Sequence, residues 1–416
     1  MHNYAFVLAI FGLAACSGDD KEDTGTGADD TDDMMGDTDD MMPDDTDDMM
    51  PDDTDDTDDT MPDEGDGFVY AMTNGAAGNE VVALRRMDSG LEFMNAWPTG
   101  GQGLGTVELP LLMVDDGIDP LVSEGSLQRV GDHLLAVNAG SGSVSVFEVA
   151  DDGMLTLTDT EQVGSYPNTL ASHGDRVFVG LSPATDAVGG IAQLLLGADG
   201  MLTPAGDMLS FTVPEAHPGR VLVVGDFLVA TELMQGNLDV WMLGADGAAL
   251  NMQPVTTPSA GPGPFGAIAL GPDRLLVSEA APEMPNLASV STYEIDDMGA
   301  LHAITAALPN GQTASCWEVV TPDGQYAFTS NSGNGTLSSY ALAADGSVTL
   351  LEGAAQTPGS GPIDMSLAPD GSMLFVLLGA SGEIAAYPVT NGVLGAAMLL
   401  DDTHLPVQGS QGILAW

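Results

Sequence analysis

The chain has 416 residues, of which 62 are Asp or Glu and 7 are Lys or Arg, for a formal net charge of −55, and 44% are hydrophobic. Such a charge excludes nucleic acid and anionic membrane surfaces as partners, while the apolar content suffices for a sizeable core. With two distant cysteines and no Cys-x-x-Cys or other ligand spacing, neither a disulfide framework nor a metal site is expected, and no cofactor is implied.

Tyr4 to Leu13 is an apolar stretch of ten residues, too short to span a bilayer and of the length of a signal-peptide core. Leu13-Ala14-Ala15-Cys16 follows it at once and resembles the bacterial lipobox, although Met1-His2-Asn3 lacks the usual Lys or Arg. The resemblance implies that residues 1–16 form a lipoprotein signal with lipidation at Cys16. The protein is then exported and lipid-anchored at the bacterial cell envelope, at the outer membrane or cell surface, with the anchor as its one membrane contact.

Residues 17–67 carry 24 of the 62 acids on an eight-residue theme, as in Asp37-Thr-Asp-Asp-Met-Met-Pro-Asp44. With repeated Pro and almost no apolar surface beyond Met, this segment is expected to be a disordered linker extended by self-repulsion. Its Asp pairs lack the Asp-x-Asp-x-Asp-Gly spacing of a calcium loop.

Seven turn signals follow: Asp88-Ser89-Gly90, Asp152-Gly153, Asp199-Gly200, Asp246-Gly247, Asp297-Met298-Gly299, Asp345-Gly346 and Asn391-Gly392. They recur every 46 to 51 residues after a first step of 64, the mark of a stacked or radial repeat. Alternating stretches such as Ser143 to Val149 and Val290 to Ile295 precede the signals. That pairing predicts hairpins with type I′ turns, whose two central residues need positive φ. Before each alternating stretch lies an apolar run, such as Leu134 to Val137 or Leu374 to Leu377, read as the inner strand of the unit.

The fold predicted for 68–416 is therefore all-β: a seven-bladed β-propeller of four-stranded antiparallel blades. The first unit starts at Phe68 to Met72 without a preceding strand, which Gln411 to Trp416 can supply. The ring would then be closed by N- and C-terminal strands in one blade, leaving no open edge.

Propellers use one mouth of the channel for binding, and the residues following each apolar run are Asn74, Asn138, Ser182, Glu232, Glu279, Asn331 and Gly379. Asn74, Asn138, Glu279 and Asn331 are the ligand-binding candidates, and two nearby carboxylates would raise at least one pKa. Residues 100–124, inserted in the first repeat alone, are expected to shape the binding mouth. Their Gly-rich start does not open a βαβ helix, so a nucleotide fingerprint is not implied.

Gly361-Pro-Ile-Asp-Met-Ser-Leu-Ala-Pro-Asp-Gly371, Tyr326 to Asn331, and the series His217-Pro-Gly-Arg220, Val229 to Leu233 and Leu238 to Trp241 carry a family likeness. The chain resembles the seven-bladed lactonase-like propellers, which include 6-phosphogluconolactonase and the carboxymuconate-lactonizing enzymes. The resemblance implies two catalytic residues: Arg220, holding an anionic group or oxyanion, and Glu232, acting as acid or base on the ring-opening water. It departs at Pro167-Asn168-Thr169-Leu170, where the family has two histidines, and at Val221, Ala280 and Ser332. Arg220 with Glu232 could equally form a buried ion pair. Cys316 reads as a small buried residue beside Trp317, His217 as a turn residue, and the four tryptophans as packing between blades.

These readings together point to an envelope lipoprotein that binds a small molecule, glycan or protein at the channel mouth and acts as a monomer. A lactone hydrolase using Glu232 and Arg220 is the alternative, and a structural surface adhesin the third reading.

Overall fold

The computed structural model describes residues 67–87, 90–107, 109, 117–184, 187–359 and 361–416. Cys16, the signal segment and the acidic linker up to residue 66 lie outside the described residues, as do Asp88 and Ser89 of the first turn signal. All regular structure among the described residues is β-strand.

Seven antiparallel sheets form a ring. Their innermost strands, in ring order, are Ile413–Ala415, Leu127–Val130, Pro167–His173, Pro218–Val224, Pro264–Ala269, Ser315–Val320 and Pro362–Leu367. Each packs on the next, and the last packs on the first. The C-terminal strand pairs with Phe68–Met72 in the register Val69 to Ala415 and Ala71 to Ile413, so one blade holds both ends of the propeller. Blades are numbered from this one, in the ring order given. Six have four strands; in the seventh the outer place is shared by Val393–Leu394 and Met398–Leu400, both paired with Glu383–Thr390.

The most apolar runs are the second strands, not the innermost ones. His133–Asn138, Phe227–Glu232 and Met373–Leu378 are covered on both faces by neighbouring blades, and Leu134 to Val137 are wholly buried. Two-sided burial selects continuous Leu and Val rather than alternation. Trp241 shows the packing: it meets Phe211 edge-on at 6.0 Å and sits with Phe178 and Ile191 of the preceding blade. Burial of each such side chain contributes about 1.5–3 kcal/mol.

The hairpin turns differ from expectation in type. Among the turn signals, both central residues have positive φ at Asn391-Gly392 (50° and 75°), while at Gly153, Gly200, Gly247, Gly299 and Gly346 the glycine alone does. In those loops an aspartate keeps ordinary φ and accepts an amide two residues on, as Asp152 does from Met154 and Asp345 from Ser347. This Asx capping replaces the second left-handed residue.

The innermost strands of blades 3 to 7 share a register break near their start, between Pro167 and Thr169, Pro218 and Arg220, Pro264 and Ala267, Ser315 and Glu318, and Ile363 and Met365. A bulge inserts a residue and re-aims its neighbours. Here it does so at the same height in five blades, next to the axis.

Candidate functional site

The connector from blade 1 to blade 2 enters the ring. Along Leu121 to Glu124 it is held by four blades: Asn168 and His217 donate to the carbonyls of Leu121 and Val122, and Trp317 and Gln411 both donate to that of Ser123. Ser123 in turn donates to Asn168 O at 2.7 Å, and Glu124 N to Gly219 O at 2.8 Å. The segment thus plugs the end of the channel where the inner strands begin.

It also delivers a carboxylate to the axis. Glu124 Oε2 accepts from Ala267 N at 3.2 Å and lies 3.7 Å from Arg220 Nε, while Oε1 accepts from Glu318 N at 3.4 Å. Arg220 Nη1 reaches the carbonyls of Glu124 and Leu170 at 3.2 and 3.5 Å. Glu318 lies alongside, and a methyl group placed on Gly266 would strike the carboxylates of both Glu318 and Glu124. Gly266 is therefore the clearance in which the two acids meet. Asp364, at a φ of 37° within its bulge, completes the group and feels the charges of Glu124 and Arg220.

Side chains from blades 4, 6 and 7 and from the connector meet only near the axis. Glu318 is 1% and Asp364 4% exposed, whereas the side chains of Arg220 and Glu124 are 17% and 10% exposed. The solvent contact of the cluster is thus at the ion pair. Burial raises Glu124 from 4.5 to about 7 against the pull of Arg220, raises Asp364 from 3.8 to about 8, and puts Glu318 well above its usual range. Glu318 takes the proton of the pair: Glu124 has Arg220 and two amides, while both oxygens of Glu318 lack a partner. Ser278 gives its own proton to the Cys316 carbonyl. A protonated acid beside a carboxylate and a guanidinium has the makings of acid–base work at neutral pH.

Arg220 and Glu232 are not brought together. Glu232 ends the second strand of blade 4, wholly buried, and accepts from Thr212 at 3.3 Å and Asn237 at 3.0 Å. Asp239, beside it, is raised from 3.8 to about 8 by burial first and by Glu232 second. The other positions of the expected ring behave alike. Asn138 bonds Asn79, Thr99 and Ser145; Asn331 bonds Asn310, Ser315 and Ser338; Asn74 bonds Gly409. Glu279 accepts from Ser259, the Gly261 amide, Ser289 and Ser291. Each lies inside its own blade, and most tie down a connector from the blade before.

His217 lies in the core, 1% exposed, and not in a surface turn. Its Nε2–H faces the Val122 carbonyl at 2.9 Å, leaving Nδ1 to accept from Ser182 at 2.9 Å. Cys316 is a buried thiol whose pKa burial pushes well up, which makes it inert.

These groups set a pH profile. Burial lowers His217 from 6.5 to about 4, so its share of stability is lost as pH falls from 6.5 to 4. For Asp364, Asp239 and Glu124 the folded pKa is raised, so their share is present below about pH 4 and lost as pH rises through 7 to 8. Three carboxyls outweigh one imidazole, at about 1.4 kcal/mol per pH unit and net proton. Unfolding free energy is expected to fall by several kcal/mol between about pH 5 and pH 8. A flat or rising profile in calorimetry would mean that these acids are ionised in the folded protein.

Residues 124–398 match the family described as lactonase, 7-bladed beta-propeller. No curated protein matches the sequence. Among solved structures, the periplasmic gluconolactonase of Pseudomonas aeruginosa is similar at 18% identity and a TM-score of 0.62, over 83% of this chain and 98% of that one. A candidate 6-phosphogluconolactonase from Bacteroides fragilis is similar at 17% identity and 0.61, over 84% and 98%. A protein of unknown function from Desulfotomaculum acetoxidans gives 12% and 0.60, over 84% and 98%. At these identities the likeness is one of fold.

Proposed function

Because this chain belongs to the family of seven-bladed lactonase β-propellers, we propose that its axial cluster binds a small lactone and opens its ring. The observation that carries this reading is the pairing of Glu124 and Glu318 over Gly266, one beside Arg220 and the other without a partner for either oxygen. In the reading given to this cluster, Glu124 takes a proton from water as its oxygen attacks the lactone carbonyl carbon. Arg220 stabilises the tetrahedral oxyanion. On collapse the ring C–O bond breaks and Glu318 protonates the departing alkoxide, leaving a hydroxy acid. The proton on Glu124 then returns to Glu318.

The test is turnover of a panel of sugar and simple lactones by the full chain, followed as acid release. Hydrolysis above the spontaneous rate is expected; its absence across the panel would favour binding without chemistry. That second reading has one observation behind it, the Leu121 to Glu124 plug closing one end of the channel.

The anchor belongs to the same reading: an exported protein, lipidated at Cys16 and held off the envelope by the acidic linker. Cys16→Ser should abolish incorporation of a labelled fatty acid and release the protein into the soluble fraction. Retention of the label would refute the assignment.

A further inference from the structure

The charge around the axial cluster bears on which lactone it takes. The described residues include six arginines and no lysine. Arg86 lies over Phe375, Arg129 over the Trp416 ring at 3.8 Å, Arg176 against the Ala205 carbonyl at 2.8 Å, and Arg274 beside Glu294 at 3.8 Å. All four are held elsewhere by these contacts, Arg85 lies on the Glu80–Met87 strand of blade 1 opposite Glu92, and Arg220 alone is seen within the cluster. It is already committed to Glu124 and to two carbonyls, with Glu318 and Asp364 as further acids close by.

Resting on the hydrolytic reading above, we propose that this site selects neutral lactones and rejects those bearing a phosphate or carboxylate, with the Glu124–Arg220 pair as the specificity-determining contact. A phosphate brought to the cluster would have to share Arg220 with Glu124, as the single charge of the oxyanion does only in passing, and its two charges oppose the ionisation of Glu124. An anion buried without a partner is far costlier than a hydroxyl, which finds a donor or acceptor among carboxyls. The same field acts on the product. Ring opening turns a neutral ligand into a carboxylate, which the cluster and the acidic propeller then repel, so product inhibition is weak.

The experiment compares glucono-1,5-lactone with its 6-phosphate, as kcat/KM for the full chain at low and molar salt. Calorimetric titration with the uncleavable gluconolactam and its 6-phosphate runs beside it. The neutral lactone is expected to be preferred by at least about 100-fold, with the ratio narrowing in salt as charge is screened. Glu124→Gln, which removes the carboxylate occupying Arg220, should narrow the difference in lactam affinity, a change that mere loosening of the fold would not produce. Equal or better turnover of the phosphate ester would overturn the selectivity while leaving the hydrolase reading intact. If neither is cleaved, the hydrolase reading falls, and selectivity is judged by the lactams: tighter binding of the neutral one upholds it. Equal binding, or none, overturns it.

Discussion

Glu318→Gln is expected to lower kcat for lactone opening by about 10²–10⁴-fold, the range for loss of a positioned proton donor, while leaving the protein as stable as before or more so. Gln has the shape of a protonated glutamate and cannot ionise. In a site where burial and the neighbouring Glu124 hold the acid's pKa well up against Ser278 and Arg220, removing the ionisable proton lifts a cost that grows with pH. Its amide can also donate to Glu124. Glu279→Gln is the contrasting case. Its carboxylate accepts from Ser259, the Gly261 amide, Ser289 and Ser291, and a side-chain amide cannot accept at both ends. Stability should drop by about 2–4 kcal/mol, with the turnover of the protein that stays folded unchanged. Rate measurements paired with urea unfolding separate the two. Loss of stability in Glu318→Gln at unchanged rate would make Glu318 a structural acid.

The other large effect concerns ring closure. Deleting residues 411–416 removes the innermost strand of blade 1, the Gln411 bonds to Leu121 and Ser123, and Trp416, which stacks under Arg129 and meets Tyr70 edge-on. It leaves Phe68–Met72 as an open edge beside the axis and uncovers apolar faces of its neighbours. The truncated chain is expected to lose its cooperative thermal transition. Because Trp416 and Phe68 exchange backbone hydrogen bonds at 2.8 and 3.0 Å, the missing strand can be returned from the other side. Placing residues 411–416 ahead of Gly67 through a short hairpin loop should restore the transition. A truncated chain that melts cooperatively at the original temperature would show that the C-terminal strand does not close the ring.

The fold was largely legible because its signals are local and repeat. Buried second strands, Gly turns and an orphan first strand completed by Ile413–Ala415 are each written in short stretches of sequence. The site was less so. Glu232 and Glu279 follow the most apolar runs, but those runs are apolar because blades cover both faces, which places their ends inside the blade rather than at the axis. The axial residues are instead the fourth in each blade opening: Arg220 in His-Pro-Gly-Arg, Gly266 in Gly-Pro-Phe-Gly, Glu318 in Ser-Cys-Trp-Glu and Asp364 in Gly-Pro-Ile-Asp. Aligning these tetrapeptides was the available signal, though the bulges that turn the residues inward leave no trace in hydropathy. Glu124 lies in the 100–124 insertion, expected to shape the mouth, but with no counterpart in the other repeats nothing singled it out within that segment. His217 reads as a turn residue by its flanking proline, yet the plug it holds buries it.

The most direct measurement is a crystal structure of the protein with a lactam analogue that cannot be hydrolysed. The account predicts the lactam in the channel, its carbonyl oxygen within hydrogen-bond reach of Arg220 and its ring nitrogen near Glu318. A lactam bound only outside the channel, with Glu124, Arg220 and Glu318 still packed on one another, would contradict it.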